Sequence, residues 1–301
     1  MSRVQLSSDT TLVVTSTGSY PTLQAAWDAL ALLDCYGFNV TIAVQDGTYS
    51  TPLSATIAPL GAASIAVVGN SAIPDNCAVN VSNGDAFWFD GPAKIALSGF
   101  KVSATGTGAN GVHVSRGAEV GFGNMDFGAC TVAQVLADGA RAVHGAAYSI
   151  TAPTSGATIA AEHHHVFNGG VIGADGQAVT LNNAPHFSAY FLGNGGGYAS
   201  YTGSSFVYSN GPATGKQYFV HGNGFTKLAG TVLPGDAPGN SINGNVDDVV
   251  SGLQVGVNGS IWMGSGQTAA SAVQIQYNGS DLYITPPSSN SKVYIKGGVL
   301  Y

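Results

Sequence analysis

Five short phrases between residues 93 and 193 decide the fold: Ala93-Lys-Ile-Ala-Leu-Ser-Gly-Phe100, Ala118-Glu-Val-Gly-Phe-Gly-Asn-Met125, Ala140-Arg-Ala-Val-His-Gly-Ala-Ala147, Ala161-Glu-His-His-His-Val-Phe-Asn168 and Pro185-His-Phe-Ser-Ala-Tyr-Phe-Leu192. They begin at 93, 118, 140, 161 and 185, so the steps are 25, 22, 21 and 24 residues. Such a period, with β-like phrases broken by Gly and Asn and no helical pattern, predicts one coil of a solenoid per repeat. Strand side chains alternate between faces. Placing the third and fifth positions inside gives Ile95/Leu97, Val120/Phe122, Ala142/His144, His163/His165 and Phe187/Ala189. The second position then points outward as Lys94, Glu119, Arg141, Glu162 and His186. Coils stack about 4.8 Å apart, so these residues form a column of alternating charge. In a chain with nine basic and sixteen acidic residues, such a column supports the register.

Composition agrees. Gly supplies 43 of 301 residues, roughly twice the usual share, and only 8% of residues are charged. Ser, Thr, Asn and Gly carry the polarity, which suits strands and tight turns. The net charge of −7 argues against a nucleic-acid partner, because phosphate binding needs basic clusters. No run of 18 apolar residues predicts membrane insertion, and Met1-Ser-Arg-Val-Gln-Leu6 lacks an apolar signal core. Synthesis in a bacterial cytoplasm follows, with any outside location reached as part of an assembly. Cys35, Cys77 and Cys130 are scattered and read as buried free thiols.

At the amino end, residues 4–14 read as a strand or hairpin. Gly18-Ser-Tyr-Pro21 is a turn. Thr22 caps a helix over 22–34, with Leu23, Ala26, Trp27, Leu30 and Leu33 at helical spacing. Val40-Thr-Ile-Ala-Val44 resumes β pattern before the turn Asp46-Gly47. The stretch Tyr20-Pro-Thr-Leu-Gln-Ala-Ala-Trp-Asp-Ala-Leu30 followed by Val40–Tyr49 resembles the opening module of phage tailspike and head-spike, pectate-lyase-like right-handed β-helices. That resemblance implies an all-β, single-stranded right-handed parallel β-helix whose open end is covered by the helix. An uncovered end would expose unpaired strand edges and apolar interior. It says little about chemistry, since lyases, esterases and non-catalytic spikes share the module.

Beyond 193 the pattern loosens into a Tyr/Ser/Gly-rich run with Tyr198, Tyr201, Phe206 and Tyr208. Thr231-Val-Leu-Pro-Gly-Asp-Ala-Pro-Gly-Asn240 reads as an extended linker and resembles segments that follow β-helices in prophage spikes. Residues 253–257, 260–263, 273–277, 282–284 and 292–296 read as strands, with a hairpin turn at Asn278-Gly279. The domains expected are 1–18, an attachment segment; 19–230, the β-helix; and 231–301, a linker with a β-rich module. Thin strands bury little alone, and the spike resemblance implies that this module gains its core as a homotrimer.

Glycan hydrolysis needs two carboxylates about 5–9.5 Å apart. Asp90, Glu119, Asp126, Asp138 and Glu162 are candidates. Glu119, Asp126 and Glu162 would serve a catalytic reading; Glu119 and Glu162 belong equally to the charge column. A pectate-lyase mechanism wants an acidic calcium cluster and an arginine; Arg116 and Arg141 have no such cluster beside them. In His163-His164-His165 the outer two face one way and His164 the other, with His165 over His144. This is a hydrogen-bonded polar stack or, failing that, a metal shared by three chains; no cofactor is expected. Trp88, Tyr198, Tyr201 and Tyr208 suit sugar stacking, against the alternative of core packing. The resemblance implies a virion spike or fibre of a phage or phage-like particle that adheres to host surface polysaccharide beside other virion proteins; the alternatives are a depolymerase on the same scaffold and a purely architectural fibre segment or particle decoration with no ligand.

Overall fold

The alternating apolar pattern becomes strands, and the recurring phrase becomes their register. In Lys94–Ser98, Ile95 and Leu97 are buried while Lys94 and Ala96 face out. This strand pairs in parallel with Ile65–Val68 before it and Glu119–Gly123 after it. Extended across the chain, the pattern gives a parallel β-helix of three sheets, with ten, seven and eight strands. We call these the first, second and third sheets. The computed structural model describes residues 3–57 and 59–247 throughout, and of the remainder the backbone of residues 260–263, 273–277 and 282–285.

Stacking in register fills the interior in columns. On the first sheet Val40, Ile65, Ile95, Val120, Ala142, Ile172 and Ala199 lie one above another, and all are buried. The expected charge column holds for three coils: Lys94 Nζ lies 3.3 Å from Glu119, and Arg141 Nη1 donates to Glu119 Oε1 at 2.9 Å. It then stops, because Arg141 pairs with Val171, thirty residues on. Glu162 and His186 are instead on the third sheet, in Thr158–Phe167 and His186–Gly195. The fourth and fifth phrases therefore belong to a different face from the first three. Coil length varies at the corners, and here a corner loop over 152–157 lengthens the coil while the strand pattern itself looks the same on every sheet.

The helix runs Leu23–Ala31, ending before residue 34, because Leu33–Asp34 pairs in parallel with Val4–Gln5. Thr22 Oγ1 accepts from Ala25 N–H at 3.1 Å, as the sequence predicts. Leu23, Ala26, Trp27 and Leu30 are buried. Trp27 packs edge-on to Phe89 and donates from Nε1 to the Ile57 carbonyl at 3.1 Å. Gln24 behaves like a strand: its Oε1 accepts from Ser54 N–H at 2.7 Å and its Nε2 donates to Ser54 O at 3.3 Å. Leu53–Ala55 is the terminal strand of the third sheet, so Gln24 satisfies backbone groups on an otherwise open edge.

Past residue 230, Asn240–Ile242 and Asn245–Asp247 still extend the third and first sheets. Residues 1–248 form one compact unit and 249–301 another. In the second, Ser260–Met263, Val273–Tyr277 and Leu282–Thr285 make a three-stranded antiparallel sheet. The strands expected over 253–257 and 292–296, and the turn Asn278-Gly279, lie outside the described residues. Cys35, Cys77 and Cys130 are free and buried, and burial pushes the Cys77 and Cys130 thiols up to about 12.

Trp27→Ala removes the largest side chain that the helix buries against the sheets. The expected cost is about 3–5 kcal/mol of the unfolding free energy, read from urea denaturation followed by circular dichroism. A cost below 1 kcal/mol would show that the helix is not integral to the coil.

Candidate functional site

The three catalytic candidates stand on three different sheets. Glu119 is on the first, tied to Lys94 and Arg141, whose hydrogen bonds hold its carboxyl below the usual range. Asp126 is on the second, alternating with the interior Phe127 and in register with Lys101 and Ser149. It accepts from Ser149 and Thr151 hydroxyls at 2.7 and 2.8 Å, with Lys101 Nζ at 3.3 Å. Burial nonetheless raises its carboxyl. Glu162 is on the third, 2.7 Å from His165 Nδ1. Asp138 accepts from Asn168, and Asp90 is buried against Ser115 and Arg116. Glu119, Asp126 and Glu162 are thus not gathered into one cleft.

The aromatic candidates scatter too. Tyr198 is 38% exposed on the first sheet, where it stacks on Phe225 at 5.8 Å. Tyr208 is 43% exposed on the second. Tyr201 is fully buried, so it is not a glycan contact. Trp88 alternates with the interior Phe87 and Phe89 and faces outward on the third sheet.

Tyr201 belongs to a polar layer within the coil. Gln134 Nε2 donates to Gly128 O at 2.7 Å, so its Oε1 accepts from His163 Nδ1 at 2.6 Å. His163 Nε2 then accepts from Tyr148 OH at 3.0 Å. His144 Nε2 and His164 Nε2 are 3.0 Å apart, and His164 Nδ1 bonds Tyr201 OH. His144 Nδ1 has no partner. An orphaned lone pair costs less than an orphaned N–H, so the network assigns the His144 proton to Nε2. His163 and His164 both face inward, their rings stacked at 3.8 Å, and only His165 faces out. Strict alternation fails here as it does at the equivalent place on the flanking coils, where the neighbours Gln134 and Val135, and Phe191 and Leu192, are also buried together. His164, rather than His165, therefore meets His144. Burial lowers His144 to about 3, and burial with the neighbouring imidazoles holds His163 and His164 well below the ordinary value. These are neutral rings filling a core. Among the described residues no three His, Cys, Asp or Glu side chains converge as metal ligands.

The outer face of the third sheet is different. Ser54, Trp88, His113, Leu136, His165, Gly193 and Phe219 stand in register along it. At its amino end Trp88 lies nearly parallel to His113, with centroids 5.8 Å apart. Trp88 Nε1 donates to Ser115 Oγ at 3.0 Å, and Ser115 donates to Asp90 at 2.8 Å. Arg116 clamps Asp90 with two nitrogens. His113 Nδ1 meets Asp85 at 2.8 Å. Burial pushes the Asp85 carboxyl up, but hydrogen bonds from His113 and Asn110 outweigh it and hold it below the usual range. Farther along, Tyr190 stacks on Phe219 at 5.2 Å, and Phe219 tilts against His221 at 4.8 Å. The strip thus offers half-exposed rings with hydroxyl and imidazole edges, which suits the mixed apolar and hydroxylated faces of a sugar. Asp85 and His113 carry no signal in the sequence beyond their spacing of one coil, 28 residues.

No family model matches the chain, and no curated protein matches it. Among solved structures it is similar to pectin methylesterase from Aspergillus niger in two deglycosylated forms. These are 13% and 14% identical, each with a TM-score of 0.48, and cover 79% and 84% of this chain and 85% and 89% of those chains. A pectin methyl esterase of rice weevil matches at 11% identity and a TM-score of 0.40, covering 78% of this chain and 89% of that one.

The buried histidines predict an acid-sensitive core. Their folded values lie below the unfolded value of about 6.5, so unfolding takes up protons as pH falls through that window. Stability is full above pH 6.5 and is lost toward pH 3, at up to about 4 kcal/mol per pH unit for three histidines. His165, raised by its Glu162 hydrogen bond against the effect of burial, keeps its contribution below pH 6.5 and loses it as pH rises. Urea midpoints between pH 7 and 5 should fall steeply, and His144→Leu should reduce the slope by one proton. A flat profile over that range would contradict the assignment.

Proposed function

We propose that this chain is a virion spike or fibre protein of a phage or phage-like particle, and that it adheres to host-cell surface polysaccharide through the outer face of its third sheet. One observation carries the reading: Trp88, His113, His165 and Phe219 stand in register on that face, with Ser115 and Asp85 beside them. Rings spaced at coil intervals give a long ligand repeated contacts, and hydroxyl, imidazole and carboxylate groups give its hydroxyls partners. In this reading the coil is right-handed and Leu23–Ala31 caps it. Residues 1–18 attach to other virion proteins, and 249–301 is the module that joins three copies.

Adhesion is preferred to depolymerisation because the proposed acids do not assemble. Cleavage asks for two carboxylates about 5–9.5 Å apart across one bond, whereas Glu119, Asp126 and Glu162 occupy separate sheets and each already has partners.

Glycan-array binding of the full chain tests the proposal. Trp88→Ala should weaken retention about tenfold, the ~1.5 kcal/mol of an aromatic contact, while Tyr201→Phe, confined to the interior, leaves it unchanged. Glycan shortening or new reducing ends on incubation would favour the depolymerase instead, and absence of retention on any polysaccharide would refute adhesion.

A further inference from the structure

The third sheet departs from regular register where it meets Thr214–His221. His186 pairs with Thr214 and Tyr190 with Lys216, so four steps along one strand oppose two along the next. The extra residues must arch away, as in a bulge. Phe187 turns inward and is buried, while Ser188 is exposed. Gly215, at φ +111°, is needed opposite the arch, since a Cβ there would collide with the Phe187 carbonyl oxygen. The arch leaves a concavity of about 390 Å³ lined by His186, Ser188, Tyr190, Gly215, Lys216 and Ala237. That lies within the ~300–1,000 Å³ of ligand clefts.

Its chemistry is cationic and aromatic. Lys216 Nζ sits 5.6 Å from the Tyr190 ring centroid. Lys216 has no carboxylate within ion-pair distance among the described residues, whereas Lys94, Lys101, Arg116 and Arg141 are all paired. Two acids border the concavity, and each has a partner of its own. Glu162, the neighbour of Tyr190 on the preceding coil, holds His165, and Asp236 accepts Gly215 N–H at 2.8 Å. His186 Nδ1 is engaged with Thr214 Oγ1 at 2.8 Å.

We propose that this concavity is a subsite for an acidic sugar residue. Its carboxylate meets Lys216, its ring lies against Tyr190, and its hydroxyls reach Ser188 and His186. The proposal rests on the adhesin reading and narrows it to polysaccharides that carry uronic or sialic acids. On a chain of net charge −7 the attraction is local to Lys216, so binding weakens as salt rises.

Calorimetric titration of the full chain with a panel of uronate- and sialate-containing oligosaccharides, each beside its carboxyl-reduced counterpart, tests this. The acidic member of a pair should bind at least tenfold more tightly. Lys216→Gln should remove that difference while leaving the thermal midpoint unchanged, because the side chain is exposed. Equal affinity for both members, the same preference in Lys216→Gln, or no binding of any acidic member overturns the subsite. The failures are separable: neutral glycans retained on an array and lost in Trp88→Ala leave adhesion standing without the subsite, and an empty array removes both.

Discussion

Parallel pairing of successive coils in register is the constraint on which the rest depends. Each strand hydrogen-bonds to the equivalent strand about 4.8 Å away, so every side chain lies over its counterpart one coil earlier. The interior is therefore filled by columns such as Val40–Ile65–Ile95–Val120. The outer faces carry columns too: Glu119 sits between Lys94 and Arg141 because the ladder puts it there. Additional residues cannot enter a ladder without breaking it, and so they collect at corners or arch out as bulges.

The same constraint explains why similar residue types have opposite characters on the two sides of one sheet. His163 and His164 face inward, meet only other rings and uncharged groups, and stay neutral. His165, the next residue, faces outward and meets Glu162. Inside, a polar layer is tolerated because the hydrogen bonds run from Gln134 through His163 to Tyr148, and from His144 through His164 to Tyr201. Outside, imidazoles and rings remain within reach of a ligand. The proposed adhesion is placed on the outer face for that reason.

Bulges concentrate on the third sheet, at Thr158–Glu162 and at His186–Tyr190. The first sheet keeps its register throughout its described pairings, and its exposed Tyr198–Phe225 stack stands without imidazole–carboxylate pairs beside it. The second sheet carries the carboxylate Asp126, but Lys101 and two hydroxyls already engage it. The third sheet alone combines aligned rings, imidazole–carboxylate pairs and a bulge that opens a concavity among the described residues. That combination sets the proposed adhesive face.

The sequence by itself determined the local facts: the alternation that makes strands, the Thr22 cap, the inward Ile95/Leu97 and Val120/Phe122 pairs, the Lys94–Glu119–Arg141 column and the free buried thiols. Each depends on neighbours a few residues away or on one coil of regular length. Tertiary structure alone decided which sheet a phrase joins. It moved Glu162 and His186 off the charge column, turned His163 and His164 to the same side, took Tyr201 inside, and separated Glu119, Asp126 and Glu162. The reason is physical. Alternation reports inside or outside and is identical on three sheets, whereas the sheet a strand joins is set by corner length and register shift. Those follow from which partner strand satisfies its backbone hydrogen bonds, and that partner lies a full coil away.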